Sequence, residues 1–163
     1  MSRPRSPGQR APLLVAIFGP TASGKTRLSL DLGERIRRDF GQEPVVISAD
    51  SRQVYRYMDI GTDKITPAEM RGIRHGLLDV VDPVRKFELS DYLRIARERI
   101  QQCLRAGEFP IVVGGTGIYV SGLLDQWDVD TGAEARIALR RDFPRSMTND
   151  AYRTLRRLDP AAG

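Results

Sequence analysis

Leu13-Leu-Val-Ala-Ile-Phe18 runs without a break into Gly19-Pro-Thr-Ala-Ser-Gly24-Lys25-Thr26. An apolar run with no alternation suits a strand buried on both faces of a parallel sheet, where neither side meets water. The stretch behind it matches G-x-x-x-x-G-K-[ST]. Its glycines let the chain turn so that successive N–H groups point inward at phosphate oxygens. Leu28, Leu32, Ile36 and Phe40 then recur at steps of four, predicting an amphipathic helix that Gly41 ends. The positive end of that helix faces the same anion, and Lys25 adds a point charge. Thr26 offers a hydroxyl where a phosphate-bound Mg²⁺ would sit. Gly19, Pro20, Thr21, Ala22, Ser23, Gly24, Lys25 and Thr26 are therefore expected to hold a di- or triphosphate, with Mg²⁺ as the cofactor.

Outward from this unit the chain keeps alternating. Pro44 to Ser48 is a second apolar strand, entering Ala49-Asp50-Ser51-Arg52-Gln53. Val54 to Arg74 reads as irregular, with a short helix after Pro67. Leu77 to Val81 reads as a third strand, closed by Asp82-Pro83. Ser90 is the expected N-cap of a helix with Leu93, Ala96, Ile100, Cys103 and Leu104 on one face, stopping near Gly107. Pro110 to Val113 is a fourth strand, followed by Gly114-Gly115-Thr116-Gly117. Strands alternating with helices predict an α/β fold, a P-loop NTPase-like doubly wound parallel sheet. Residues 13–125 form this core. A basic tail, 1–12, precedes it, and 126–163 is a helical segment carrying Arg136 and six further arginines.

Composition narrows the class. The 163 residues are 40% hydrophobic and 29% charged, which excludes collagen-like, coiled-coil and wholly disordered chains. No apolar run approaches a bilayer span, so no membrane partner is expected. Lys and Arg total 26 against 21 Asp and Glu, a balance that favours polyanions. The single Cys103 excludes an internal disulfide and a cysteine zinc site, and suits a reducing, cytoplasmic setting. On an apolar helix face, Cys103 is a packing residue.

Two further segments sit at strand ends, where open α/β sheets collect ligands. Asp50 can hold Mg²⁺, take a proton from a nucleophile, or simply make a turn. Gly114 and Gly115 allow close backbone approach to a ligand, or form a plain tight turn. Tyr55, Tyr57 and Trp127 can stack on a base or pack. Asp79 and Asp82, after an apolar run, imitate the metal-binding acid of a nucleotide hydrolase. His75 is a structural hydrogen-bonding residue or an incidental one.

Taken in order, GPTASGKT, SADSRQVYRYMDIGTDK, HGLLDVVDP, SDY and VVGGTGIYVSGLL resemble the tRNA dimethylallyltransferase (tRNA isopentenyltransferase) family. The resemblance is strong over residues 13–125 and weaker beyond. It implies transfer of a dimethylallyl group from dimethylallyl diphosphate to N6 of the adenosine next to the anticodon in tRNA. Thr21 to Thr26 would hold the diphosphate, and Asp50 would be the general base with Thr116 beside it in the catalytic site. Asp50, Ser51, Arg52, Gln53 and Thr116 would contact the flipped-out adenosine, and Arg136 the tRNA. The implied partners are dimethylallyl diphosphate and tRNA, and the implied state is a monomer. Gly76 stands where the family usually carries His or Arg. The resemblance also implies that 163 residues hold the first half of the family's length, leaving the sheet incomplete towards the C-terminus and activity in doubt. Rival readings are an adenylate isopentenyltransferase, a P-loop small-molecule kinase and a non-catalytic remnant that still binds diphosphate or tRNA.

Overall fold

The computed structural model describes residues 14–125, which belong to the first of two compact units, Met1–Trp127. The expected N-terminal tail, Trp127, Arg136 and the arginine-rich helices lie outside the described residues.

The elements follow the order β1 (Val15–Phe18), α1 (Lys25–Phe40), β2 (Pro44–Ser48), β3 (Arg74–Gly76), α2 (Leu89–Arg105), β4 (Phe109–Gly114) and α3 (Gly117–Leu124). The strands form one parallel sheet in the order β1-β4-β2-β3. Ile17 stands opposite Val113, and Val46 opposite Ile111. The central strands β2 and β4 are buried almost throughout, as unbroken apolar runs in a sheet covered on both faces must be. Val46, Ile111 and Val113 join Leu30 and Ile36 of α1 in one apolar cluster. The alternate residues Val45, Ile47 and Val112 face the other way by the period of two, towards the layer of α2 and α3. Tyr92, Leu93 and Ala96 of α2 and Tyr119 and Val120 of α3 are buried there. The expected α/β sheet with helices on both faces is thus present.

Several boundaries and faces differ from the sequence expectation. The third strand is Arg74–Gly76, not Leu77 to Val81. Leu77 and Asp79 take positive φ, which ends the extended run, and Val81 makes only an isolated bridge to Tyr55. The segment after Pro67 forms turns closed by Thr66 and Met70 carbonyls rather than a helix. On α1 the inward face is Ser29, Leu30, Gly33 and Ile36, while Leu28 and Phe40 are exposed. A strict step of four drifts by about 40° per step around a 3.6-residue turn, so that stripe leaves the core at both ends. Glu88, not Ser90, caps α2; its backbone N–H donates to the Asp91 carboxylate at 3.0 Å. β1 is only half-buried because it is an edge of the sheet among the described residues. Cys103 is buried on α2, as expected.

Candidate active site

Three strands deliver the site. The loop Gly19–Gly24 leaves β1, Ala49–Gln53 leaves β2 and Gly115–Thr116 leaves β4, all at carboxyl ends of neighbouring parallel strands. This is where an open parallel sheet leaves a crevice. A cavity of about 320 Å³ opens there, lined by residues 21–27 of the loop and α1, by Asp50, Gln53, Thr62 and Asp63, and by Gly114 and Gly115.

The loop has the backbone an anion cradle needs. Gly24 lies at φ 81° and Ala22 at φ 61°, so the loop turns its N–H groups before α1 begins. A left-handed alanine costs about 1–2 kcal/mol, a strain characteristic of ligand-binding loops. The first turn of α1 carries no acid and the last carries Arg37 and Arg38, so side-chain charge leaves the positive helix end open to an anion. Lys25 donates to the Pro20 carbonyl within the loop. Gly19 and Pro20 themselves do not line the cavity.

Asp50 is held by its own turn. Its Oδ1 accepts the N–H groups of Arg52 at 2.8 Å and Gln53 at 3.3 Å. That Asx-type turn commits one carboxylate oxygen to structure. Oδ2 lies 3.9 Å from where a Cβ on Gly115 would stand, on the cavity side. Asp50 therefore makes the turn and also presents a proton acceptor. The Thr116 hydroxyl accepts from the Ser51 N–H at 3.0 Å and donates to Ser51 Oγ at 3.2 Å, tying the β4 loop to the β2 loop. Arg52 is exposed beside them. Gln53 accepts from the Ser48 hydroxyl and donates to the carbonyls of Thr62 and Asp63 at 3.1 and 3.2 Å.

Sequence reasoning missed three supporting residues. Asp63, at φ 51°, adds a second carboxylate to the cavity. Its place between Gly61 and Lys64, within a motif already singled out, was the available signal. Tyr92 and Tyr119 stack with ring centroids 3.8 Å apart and planes 9° from parallel. The Tyr92 hydroxyl donates to the Ser48 carbonyl at 3.2 Å, two residues before Asp50. Burial raises both phenols above their ordinary range, with the Asp50 charge adding to the shift at Tyr119, so both stay neutral. Asp79 and Asp82 do not line the cavity: Asp79 pairs with Lys64 at 2.7 Å, and Asp82 accepts from the Val84 N–H. His75 is structural, its Nδ1 at 2.9 Å from the Ile73 carbonyl. Tyr57 is exposed at φ 63°, and Tyr55 bridges to Val81.

The oxygen donors Thr26, Asp50 and Asp63 around one cavity suit Mg²⁺, which prefers one or two carboxylates completed by substrate phosphates. Among the described residues no group of three or more His, Cys, Asp or Glu forms an all-protein cage.

Fold and cavity together define a parallel α/β domain in which a glycine-bearing loop at a helix N-terminus adjoins a carboxylate. Residues 53–163 match the family model for IPP transferase, and the chain belongs to that family. It is 45% identical over 152 residues to the tRNA dimethylallyltransferase of Roseiflexus castenholzii, covering 91% of this chain and 48% of the relative. Identity to that of Thermoanaerobacter sp. strain X514 is 40% over 152 residues, covering 91% and 46%. Among solved structures, the full-length tRNA isopentenylpyrophosphate transferase of Bacillus halodurans superposes with a TM-score of 0.65 at 39% identity, covering 93% of this chain and 49% of that one. A eukaryotic dimethylallyltransferase acting on tRNA gives 0.71 at 29% identity, covering 91% and 36%. The chain spans about half the length of the curated relatives it matches.

Proposed function

We propose that this protein transfers the dimethylallyl group of dimethylallyl diphosphate to N6 of the adenosine next to the anticodon in tRNA. One observation carries the reading: Asp50 and the loop residues Thr21 to Thr26 line the same cavity. The amine nitrogen attacks the allylic carbon, and the C–O bond breaks with its electron pair leaving on diphosphate. Thr21 to Thr26 face the oxygens on which that negative charge grows, so they favour the transition state over the bound donor. Asp50 takes the N–H proton as the C–N bond forms, which matters because an exocyclic amine is a weak nucleophile. Thr116 and Gln53 hold the Asp50 turn in place through Ser51 and Ser48. Mg²⁺, held by Thr26 and a carboxylate, would supply further charge to the diphosphate.

The test is incubation of the chain with dimethylallyl diphosphate, Mg²⁺ and unmodified tRNA, followed by mass analysis of the digested nucleosides. An adenosine heavier by one C5H8 unit is expected. Asp50→Asn should slow its formation by about 10²–10⁴-fold while leaving diphosphate affinity near its original value. Absence of the modified adenosine would overturn the reading, and modification of free AMP but not tRNA would move the acceptor to the nucleotide.

A further inference from the structure

A second concavity, of about 590 Å³, lies apart from the phosphate cavity, between the loop after β3 and the N-terminal half of α2. Arg56, Arg85, Lys86 and Arg94 surround it, all exposed. Its floor is apolar, formed by Leu77, Val81, Phe87 and Ile95. Two acids also border it, Asp82 and Asp91, and both are occupied by backbone N–H groups, of Val84 and Glu88. Among the described residues the Arg85 and Arg56 guanidinium groups have no carboxylate partner; Arg56 donates to the Asp79 carbonyl at 2.8 Å. The Arg94 pair with Glu98 is a loose 3.8 Å contact on the surface, and Lys86 pairs with Glu88. Four cations around an apolar floor match a strand of nucleic acid, which offers phosphates to the rim and a ribose or base face to the floor.

Position strengthens the match. The groove's wall is hydrogen-bonded to the loop that borders the phosphate cavity: the Asp79 N–H donates to the Gln53 carbonyl at 3.2 Å, and Val81 and Val54 pair at 3.0 Å. Gln53 faces the cavity, and Arg56, three residues on, stands on the groove. The cavity and the groove are therefore linked through one short segment, residues 53–56.

We infer that the groove bounded by Arg56, Arg85, Lys86 and Arg94 is an RNA-docking surface that holds the phosphates flanking the acceptor base. The inference rests on the proposed tRNA substrate, but its test reads binding rather than transfer. The double variant Arg85→Glu/Arg94→Glu is compared with Arg35→Glu/Arg105→Glu, an equal charge change on exposed positions away from the groove. The probe is a fluorescent anticodon stem-loop RNA, titrated by anisotropy from 50 to 300 mM salt, a span of about sixfold in ionic strength. The groove variant should lose at least about tenfold in affinity at the low-salt end. Its slope of log K against log salt should flatten by about one to two, the loss of two phosphate contacts. The control should lose much less.

Equal losses in both variants, or no RNA binding by the unaltered chain, would overturn the groove. So would a change in oligomeric state in the groove variant with RNA affinity intact, which would make the surface a protein interface. If dimethylallyl transfer fails while the groove variant alone loses RNA, the docking surface stands and the proposed reaction falls. If transfer proceeds and the groove variant keeps the RNA KM, the reaction stands and the groove falls.

Discussion

Gly114 shows how tightly the site is drawn at single residues. A Cβ there would stand 2.0 Å from the Ala49 carbonyl oxygen, backbone against backbone, at the point where β2 and β4 release their loops. Gly114→Ala is expected to cost about 3 kcal/mol or more, because no side chain can swing away to relieve the contact. Thermal or urea unfolding of the variant measures it. Gly24 makes a different demand. Nothing lies within 4 Å of its missing Cβ, yet its φ is 81°. Gly24→Ala is expected to lose about 1–2 kcal/mol from left-handed strain alone and to weaken inorganic diphosphate binding, which calorimetry can read. Both glycines were visible in the sequence as loop residues, but their distinct reasons were not. One depends on a strand contributed by residues far away in the chain, the other on local dihedral angles.

At the scale of elements, the loop from Gln53 to Lys64 is held from below by one cation. The Lys64 ammonium is nearly buried and reaches the Tyr55 carbonyl at 2.9 Å and the carboxylates of Asp59 and Asp79 at 2.7 Å each. Burial pulls its pKa down, but the two carboxylates outweigh that and hold it above its ordinary value. Lys64→Met keeps the bulk and removes the donor. Because both carboxylates remain largely in water, the expected cost is about 1–2 kcal/mol rather than that of a fully buried pair. The loop should loosen first, seen as faster amide exchange over residues 53–64 and a higher KM for acceptor RNA. The MDIGTDK stretch marked this loop in the sequence. Which carboxylates Lys64 would choose was illegible, since Asp79 arrives from the far side of β3. The β3 boundary failed for a related reason. Leu77 to Val81 is apolar enough for a strand, but positive φ at Leu77 and Asp79 turns the chain out of the sheet.

At the scale of the whole molecule, the packing sets an acid limit. Burial holds His75 of β3 below its ordinary pKa of 6.5, only partly offset by its hydrogen bond to the Ile73 carbonyl. The fold therefore keeps it neutral while the unfolded chain takes a proton first. Its contribution is complete above about pH 6.5 and is lost as pH falls through the lower, folded value. Melting temperatures measured from pH 7.5 to 5 should fall more steeply for the unaltered chain than for His75→Gln.

The sequence alone determined the first strand, loop and helix, the strands around Pro44 and Pro110, the acid at the end of β2 and the family, because these are local patterns: apolar runs, glycine spacing and a lysine behind them. Only the tertiary structure decided which face of α1 is buried, which oxygen of Asp50 remains free, that Asp63 joins the cavity, and that four cations share a groove. Those properties arise where segments distant in the chain meet across parallel strands, and the sequence of neither segment records the meeting.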